Sequence, residues 1–91
     1  MDRYAEFIIV PVIGSLQLQA DERGLSVVAL QSMREMVAND EPEIAIDYLV
    51  NTVNSFGLTL KRDEYEKLSA LADRLQYADI LTDIRPELIL P

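Results

Sequence analysis

The sequence predicts an all-α fold, a small antiparallel bundle of about four helices, on three observations. Apolar residues recur at helical spacing in four successive segments. The third segment carries signals at both ends, Pro42 near its start and Gly57 at its close. Of the 91 residues, 49% are apolar, enough to fold one domain around a thin core. A chain this long buries roughly 60–65% of the surface its unfolded form exposes. Residues 1–91 are therefore expected to form a single helical domain, with 79–91 as an extended apolar tail.

Residues 2–19 hold Tyr4, Phe7, Ile8, Val10, Val12, Ile13, Leu16 and Leu18, denser in apolar side chains than a surface helix usually is. Pro11 lacks a backbone donor and crowds the preceding turn, while Gly14 lowers helix propensity, so this first helix is expected to be kinked or broken near Pro11. Its branched residues give 6–12 a competing reading as a strand. A second amphipathic helix is expected to start at Asp21, with Glu22 in its first turn, and to run to about Ala38. Leu25, Val28, Leu30, Met33, Met36 and Val37 form its apolar side. The two methionines read as core filler, with an adaptable binding surface as the alternative.

Asn39 and Asp40 end that helix. Asp40 and Glu43 then stand three apart, as in a capping box, and Pro42 fits a first turn because its missing donor has no helical partner there. The third helix is expected to bury Ala45, Ile46, Leu49, Val50, Val53 and Phe56, and Gly57 supplies a left-handed stop that folds Leu58 back onto Val53. Residues 58–60 leave room only for a reversal between antiparallel neighbours. A fourth helix opens at Asp63 and Glu64 and continues through Tyr65, Leu68, Leu71, Ala72 and Leu75, with Glu64 and Lys67 paired on its solvated face. A short helix or turn near 80–84 leads into the apolar tail, which packs on the bundle or docks on a second copy.

Sixteen acids against eight bases give a net charge of −8. That field disfavours direct binding to nucleic acid or anionic lipid and attracts a basic protein partner, although a charge of this size also serves solubility. The chain has no Cys and no His. Disulfides and thiolate chemistry are thereby excluded, and the commonest general base and transition-metal ligand are missing. The first residues lack the pattern of a signal peptide, and the apolar run 7–13 is far shorter than the ~20 residues of a membrane span. A cytoplasmic location is the expectation.

No glycine loop cradles a phosphate, no Ser lies in a nucleophile elbow, and no calcium-loop spacing occurs. Glu43 and Asp47 share one face a turn apart and could hold a cation, but two carboxylates on a helix are ordinarily just solvated. No cofactor, metal or enzymatic activity is expected. Recognition remains. Between Glu35 and Leu60 the only charged side chains are Glu35, Asp40, Glu41, Glu43 and Asp47, all carboxylates. Capping and the helix dipole account for Asp40, Glu41 and Glu43; no local rule demands Asp47 or Tyr48. Asp40, Glu41, Glu43, Asp47 and Tyr48 are the candidate partner-binding residues, the acids steering and the aromatic anchoring.

The run Asn39-Asp40-Glu41-Pro42-Glu43-Ile44-Ala45-Ile46-Asp47-Tyr48-Leu49, with Phe56-Gly57-Leu58-Thr59-Leu60 and Asp63-Glu64-Tyr65-Glu66-Lys67-Leu68 after it, resembles the Maf-type immunity proteins of bacterial polymorphic toxin systems and their contact-dependent inhibition relatives. The likeness covers about residues 33–75. It departs at Asp40, where the family commonly has glycine, and at Lys61-Arg62, where Thr or Ser with Pro often starts the last helix. The resemblance implies a cytoplasmic antidote that binds one cognate toxin domain, commonly a basic nuclease, and blocks its active site or substrate groove. A small helical adaptor is the alternative, as is a homodimer or larger homo-oligomer that would use 80–90 as its contact.

Overall fold

Four α-helices carry the fold: α1 (Tyr4–Glu22), α2 (Val28–Ala38), α3 (Pro42–Phe56) and α4 (Arg62–Arg74). They are followed by two short 3₁₀ helices, Ala78–Asp83 and Pro86–Leu88. This architecture is that of a computed structural model, which describes residues 3–91; the expected helix start at residue 2 lies outside them. The small all-α bundle read from the sequence is present. Its radius of gyration, 12.0 Å, is close to the ~12 Å of a compact domain of this length.

Helix α1 supplies Ala5, Ile9, Val12, Ile13, Leu16 and Ala20 to the core, all on one side of the helix. Leu30, Met33 and Val37 of α2, Ala45, Ile46, Leu49, Val50 and Val53 of α3, and Leu68, Leu71 and Ala72 of α4 complete it. Helix α2 lies against α1 and α3, whereas α4 packs on α1 and the first 3₁₀ helix. The reversal at 58–60 therefore does not make α3 and α4 close neighbours. Burial of Met33 agrees with its reading as core filler.

Helix α1 runs unbroken through Pro11, and 6–12 is helical rather than a strand. Pro11 is exposed, and Phe7, whose carbonyl loses its helical donor, is 80% exposed. Water can serve that carbonyl, so the helix continues. Asp21 does not start α2; it lies in the last turn of α1. Gly24, at φ +67°, ends that helix: the Leu25 amide donates to the Ala20 carbonyl at 2.8 Å and the Gly24 amide to Asp21 at 3.2 Å. This is a Schellman ending.

The same device closes the other three helices. Asp40, at φ +61°, donates to the Val37 carbonyl while Glu41 donates to Met36 at 2.8 Å. Gln76, at φ +60°, donates to Asp73 while Tyr77 donates to Ala72 at 2.7 Å. At Gly57, φ +65°, the Leu58 amide reaches the Val53 carbonyl at 3.1 Å, the stop expected from the sequence. Asp40 is thus the left-handed residue that ends α2, and no capping box joins it to Glu43; Glu41 is the residue that precedes α3 and makes no side-chain cap. At α4 the Glu64 carboxylate accepts from the Lys61 amide at 2.9 Å, and Lys67 lies 4.0 Å from Asp63 rather than pairing with Glu64.

Residues 78–91 pack on the bundle of their own chain. Leu81, Ile84 and Leu88 are buried. The Leu60 amide donates to the Leu88 carbonyl at 2.9 Å and the Leu90 amide to the Leu60 carbonyl at 2.8 Å, a single parallel bridge between Leu60 and Ile89. Asn54 of α3 receives the Arg85 amide at 3.0 Å and donates to the Asp83 carbonyl at 2.9 Å. Gln19 of α1 clasps Thr59, donating to its carbonyl at 2.7 Å and accepting from its amide at 2.8 Å. Two side-chain amides thereby satisfy irregular backbone that no helix serves.

Candidate functional site

The acids expected to bind a partner cluster where α2 turns into α3. Asp40, Glu41 and Glu43 are all exposed there. Asp40 owes its position to the left-handed turn, Glu41 follows it, and Glu43 lies in the first turn of α3, where the amides of the helix start favour negative charge. Ile44, next to Glu43, and Tyr48, one turn beyond Ile44 along α3, are each 43% exposed.

Asp47 and Tyr48 are consecutive, so their side chains leave the helix about 100° apart. The structure shows the consequence. Tyr48 faces α2 and lines a groove of about 200 Å³ with Ala29, Asn51, Thr52, Ser55 and Phe56. Asp47 faces the segment after α4, where both its carboxylate oxygens accept from the Tyr77 hydroxyl at 2.9 and 3.0 Å. That hydrogen bond, with some burial and the nearby carboxylates of Asp47 and Asp83, raises the Tyr77 phenol above its ordinary value of 10.0. The five sequence-derived residues are therefore divided between two faces: Tyr48 lies on the groove side, and Asp47 serves a contact within the chain.

The groove itself was not apparent in the sequence. Phe56, expected in the core, is 38% exposed and forms one wall. Val28, expected on the apolar side of α2, is 75% exposed. Helical spacing alone does not distinguish such exposed apolar positions from the interior. Among the described residues no group of three or more acidic side chains is placed to hold a metal ion. No helix among them is long and apolar enough to cross a membrane.

No protein-family model, curated protein or solved structure matches the chain. The groove, and the exposed acids at the start of α3, are thus the features from which a role can be argued. The groove is mixed in character: Ala29, Tyr48 and Phe56 offer apolar surface, while Asn51, Thr52 and Ser55 offer donors and acceptors.

Proposed function

We propose that this chain is an immunity protein, an antidote that binds a cognate bacterial toxin domain in the cytoplasm and neutralises it. The toxin partner would be basic, in keeping with a nuclease, and the α2–α3 surface would cover its active site or substrate groove. One observation carries the reading: Tyr48, exposed in the α2–α3 groove, follows within about two helical turns on exposed Ile44 and the exposed carboxylates Asp40, Glu41 and Glu43 at the start of α3. The sequence contributes no cation to this stretch from Glu35 to Leu60. Such a face joins an aromatic anchor to a steering field of one sign. The resemblance of residues 33–75 to Maf-type immunity proteins supplies the toxin as the partner class.

Asp40, Glu41 and Glu43 would meet Lys or Arg side chains of the toxin, and Tyr48 would fill the centre of the contact. Asp47, held by Tyr77, would support the rear of α3. The test is a charge-reversal series, Asp40→Lys, Glu41→Lys and Glu43→Lys, together with Tyr48→Ala, assayed for binding to the toxin domain encoded beside the gene and for rescue of cells that express it. Unchanged affinity and rescue across the series would remove the assignment.

A further inference from the structure

Helix α1 is apolar on two opposite sides, and only one is needed by the core. Opposite Ile9, Ile13 and Leu16 lies a second stripe of Phe7, Pro11, Gly14 and Leu18, spaced 4, 3 and 4 residues apart, the interval of one helical face. Phe7 is 80% and Leu18 65% exposed. Beside Phe7 the side chains of Arg3, Glu6, Val10 and Pro11 enclose a cleft of about 300 Å³. A Cβ built on Gly14 meets nothing within 4 Å, so the fold of the single chain leaves open space there.

The order of charge along this stripe identifies an occupant. Arg3 stands at its N-terminal end, and Asp21 and Glu22 at its C-terminal end. An antiparallel copy of the same helix matches it. Arg3 and Glu22, Phe7 and Leu18, and Pro11 and Gly14 are each placed symmetrically about the point between Val12 and Ile13. A two-fold axis there sets unlike charges against each other at both ends, an apolar pair between them, and the smallest residue at the centre, where the two backbones approach most closely.

We infer that the exposed face of α1 is an isologous interface between two copies of this chain, Leu18 of each copy entering the cleft beside Phe7 of the other. This is knob-into-hole packing with Arg3, Glu6, Phe7, Val10 and Pro11 as the hole. It lies on α1, apart from the α2–α3 groove, and stands independently of the proposed toxin partner. In the tail, by contrast, Leu81, Ile84 and Leu88 are already buried in their own chain. One helix pair covers less than the roughly 800 Å² per partner of a standard interface, so the dimer is weak and concentration-dependent.

The chain lacks cysteine, which permits a direct test. Phe7→Cys and Leu18→Cys, both at exposed positions, are prepared separately and mixed under mild oxidation. The mixture is expected to form a disulfide between the two variants, and each variant alone to form far less. In the proposed register two copies of position 7 lie about 16 Å apart along the axis, beyond the ~7 Å limit for Cα atoms of a disulfide. Without substitutions, mass measured by light scattering should rise toward twice the monomer's between low micromolar and millimolar concentration. Arg3→Glu should abolish that rise, Glu22→Arg should abolish it too, and the double variant should restore it. Cross-linking no faster in the mixture than in the separate variants overturns the inference. So does a monomeric mass at every concentration, or a double variant no better than the singles.

Discussion

The Tyr77 hydroxyl closes a bridge onto both carboxylate oxygens of Asp47, at 2.9 and 3.0 Å across 30 residues of sequence. It ties the turn after α4 to the middle of α3. Asp47 accepts best when Tyr77 keeps its proton, and this raises the Tyr77 phenol above 10.0. The folded chain therefore holds that proton at pH values where the unfolded chain has begun to lose it. The stabilisation is complete below the unfolded value and fades as pH rises through the folded one. Ultraviolet titration should show one of the four tyrosines ionising later than the rest, and Tyr77→Phe should remove that late phase.

Two of the four helix ends place a side chain where glycine fits better. Asp40 and Gln76 have φ of +61° and +60°, whereas Gly24 and Gly57 fill the equivalent places after α1 and α3. Left-handed backbone costs an L-residue about 1 kcal/mol, less for Asp than for Gln. Gln76→Gly is expected to stabilise the chain by about 1 kcal/mol and Asp40→Gly by about half of that, with Gly57→Ala shifting it by about 1 kcal/mol the other way. Urea denaturation followed by circular dichroism reads all three.

These ends explain what the sequence disclosed and what it concealed. Gly57 was readable because glycine after an apolar periodic run has one common meaning. Asp40 had two, since Asp is favoured just before a helix and tolerated in the left-handed turn just after one; Pro42, two residues on, made the first meaning attractive. Asp21 reads equally as a helix start although it lies in the last turn of α1, and Gly24 is the residue that marks that helix's end. Tyr77 and Asp47 meet through tertiary structure alone, and no local spacing encodes such a contact. The acidic cluster of the candidate site is plain in the sequence, but the groove combines residues of α2 and α3, and periodicity does not report how two helices meet.

Gln19 uses both ends of its side-chain amide on the backbone of Thr59, at 2.7 and 2.8 Å. Glu in its place can still accept from the Thr59 amide but presents a second acceptor to the Thr59 carbonyl. Gln19→Glu should destabilise the chain by about 1–3 kcal/mol, the cost of a half-buried carbonyl without its donor set against a like-polarity group. Thermal unfolding measures it.

Leu81 shows how far the last residues belong to the fold. It is 1% exposed, and α4 and α3 both touch the short helix that carries it. Leu81→Ala should cost about 2–5 kcal/mol, the range for a fully buried leucine. In a domain whose total stability is on the order of 5–10 kcal/mol, that loss is large enough to read as a lowered denaturation midpoint. A loss below about 1 kcal/mol would instead mean that the segment adds little to the bundle.

Tyr48 and the acids of Asp40, Glu41 and Glu43 differ in what they can contribute to a complex, and kinetics separates them. The carboxylates are exposed at a helix start, where salt screens them within about 10 Å at 0.1 M; they act mainly before contact, on the rate of encounter. Tyr48 lines the groove together with Ala29 and Phe56 and gains its energy only when the groove is covered. With the proposed toxin partner as ligand, lysine at the three acidic positions should lower the association rate about tenfold or more at low salt, and the difference should shrink as salt rises. Tyr48→Ala should leave association nearly unchanged and speed dissociation about tenfold or more, at every salt concentration. Asp47→Asn should leave both rates close to those of the parent, because that side chain faces Tyr77 rather than the groove. Surface plasmon resonance across a salt series distinguishes the three patterns. An Asp47 variant with the strongest defect would move the binding face from the α2 side of α3 to its Tyr77 side.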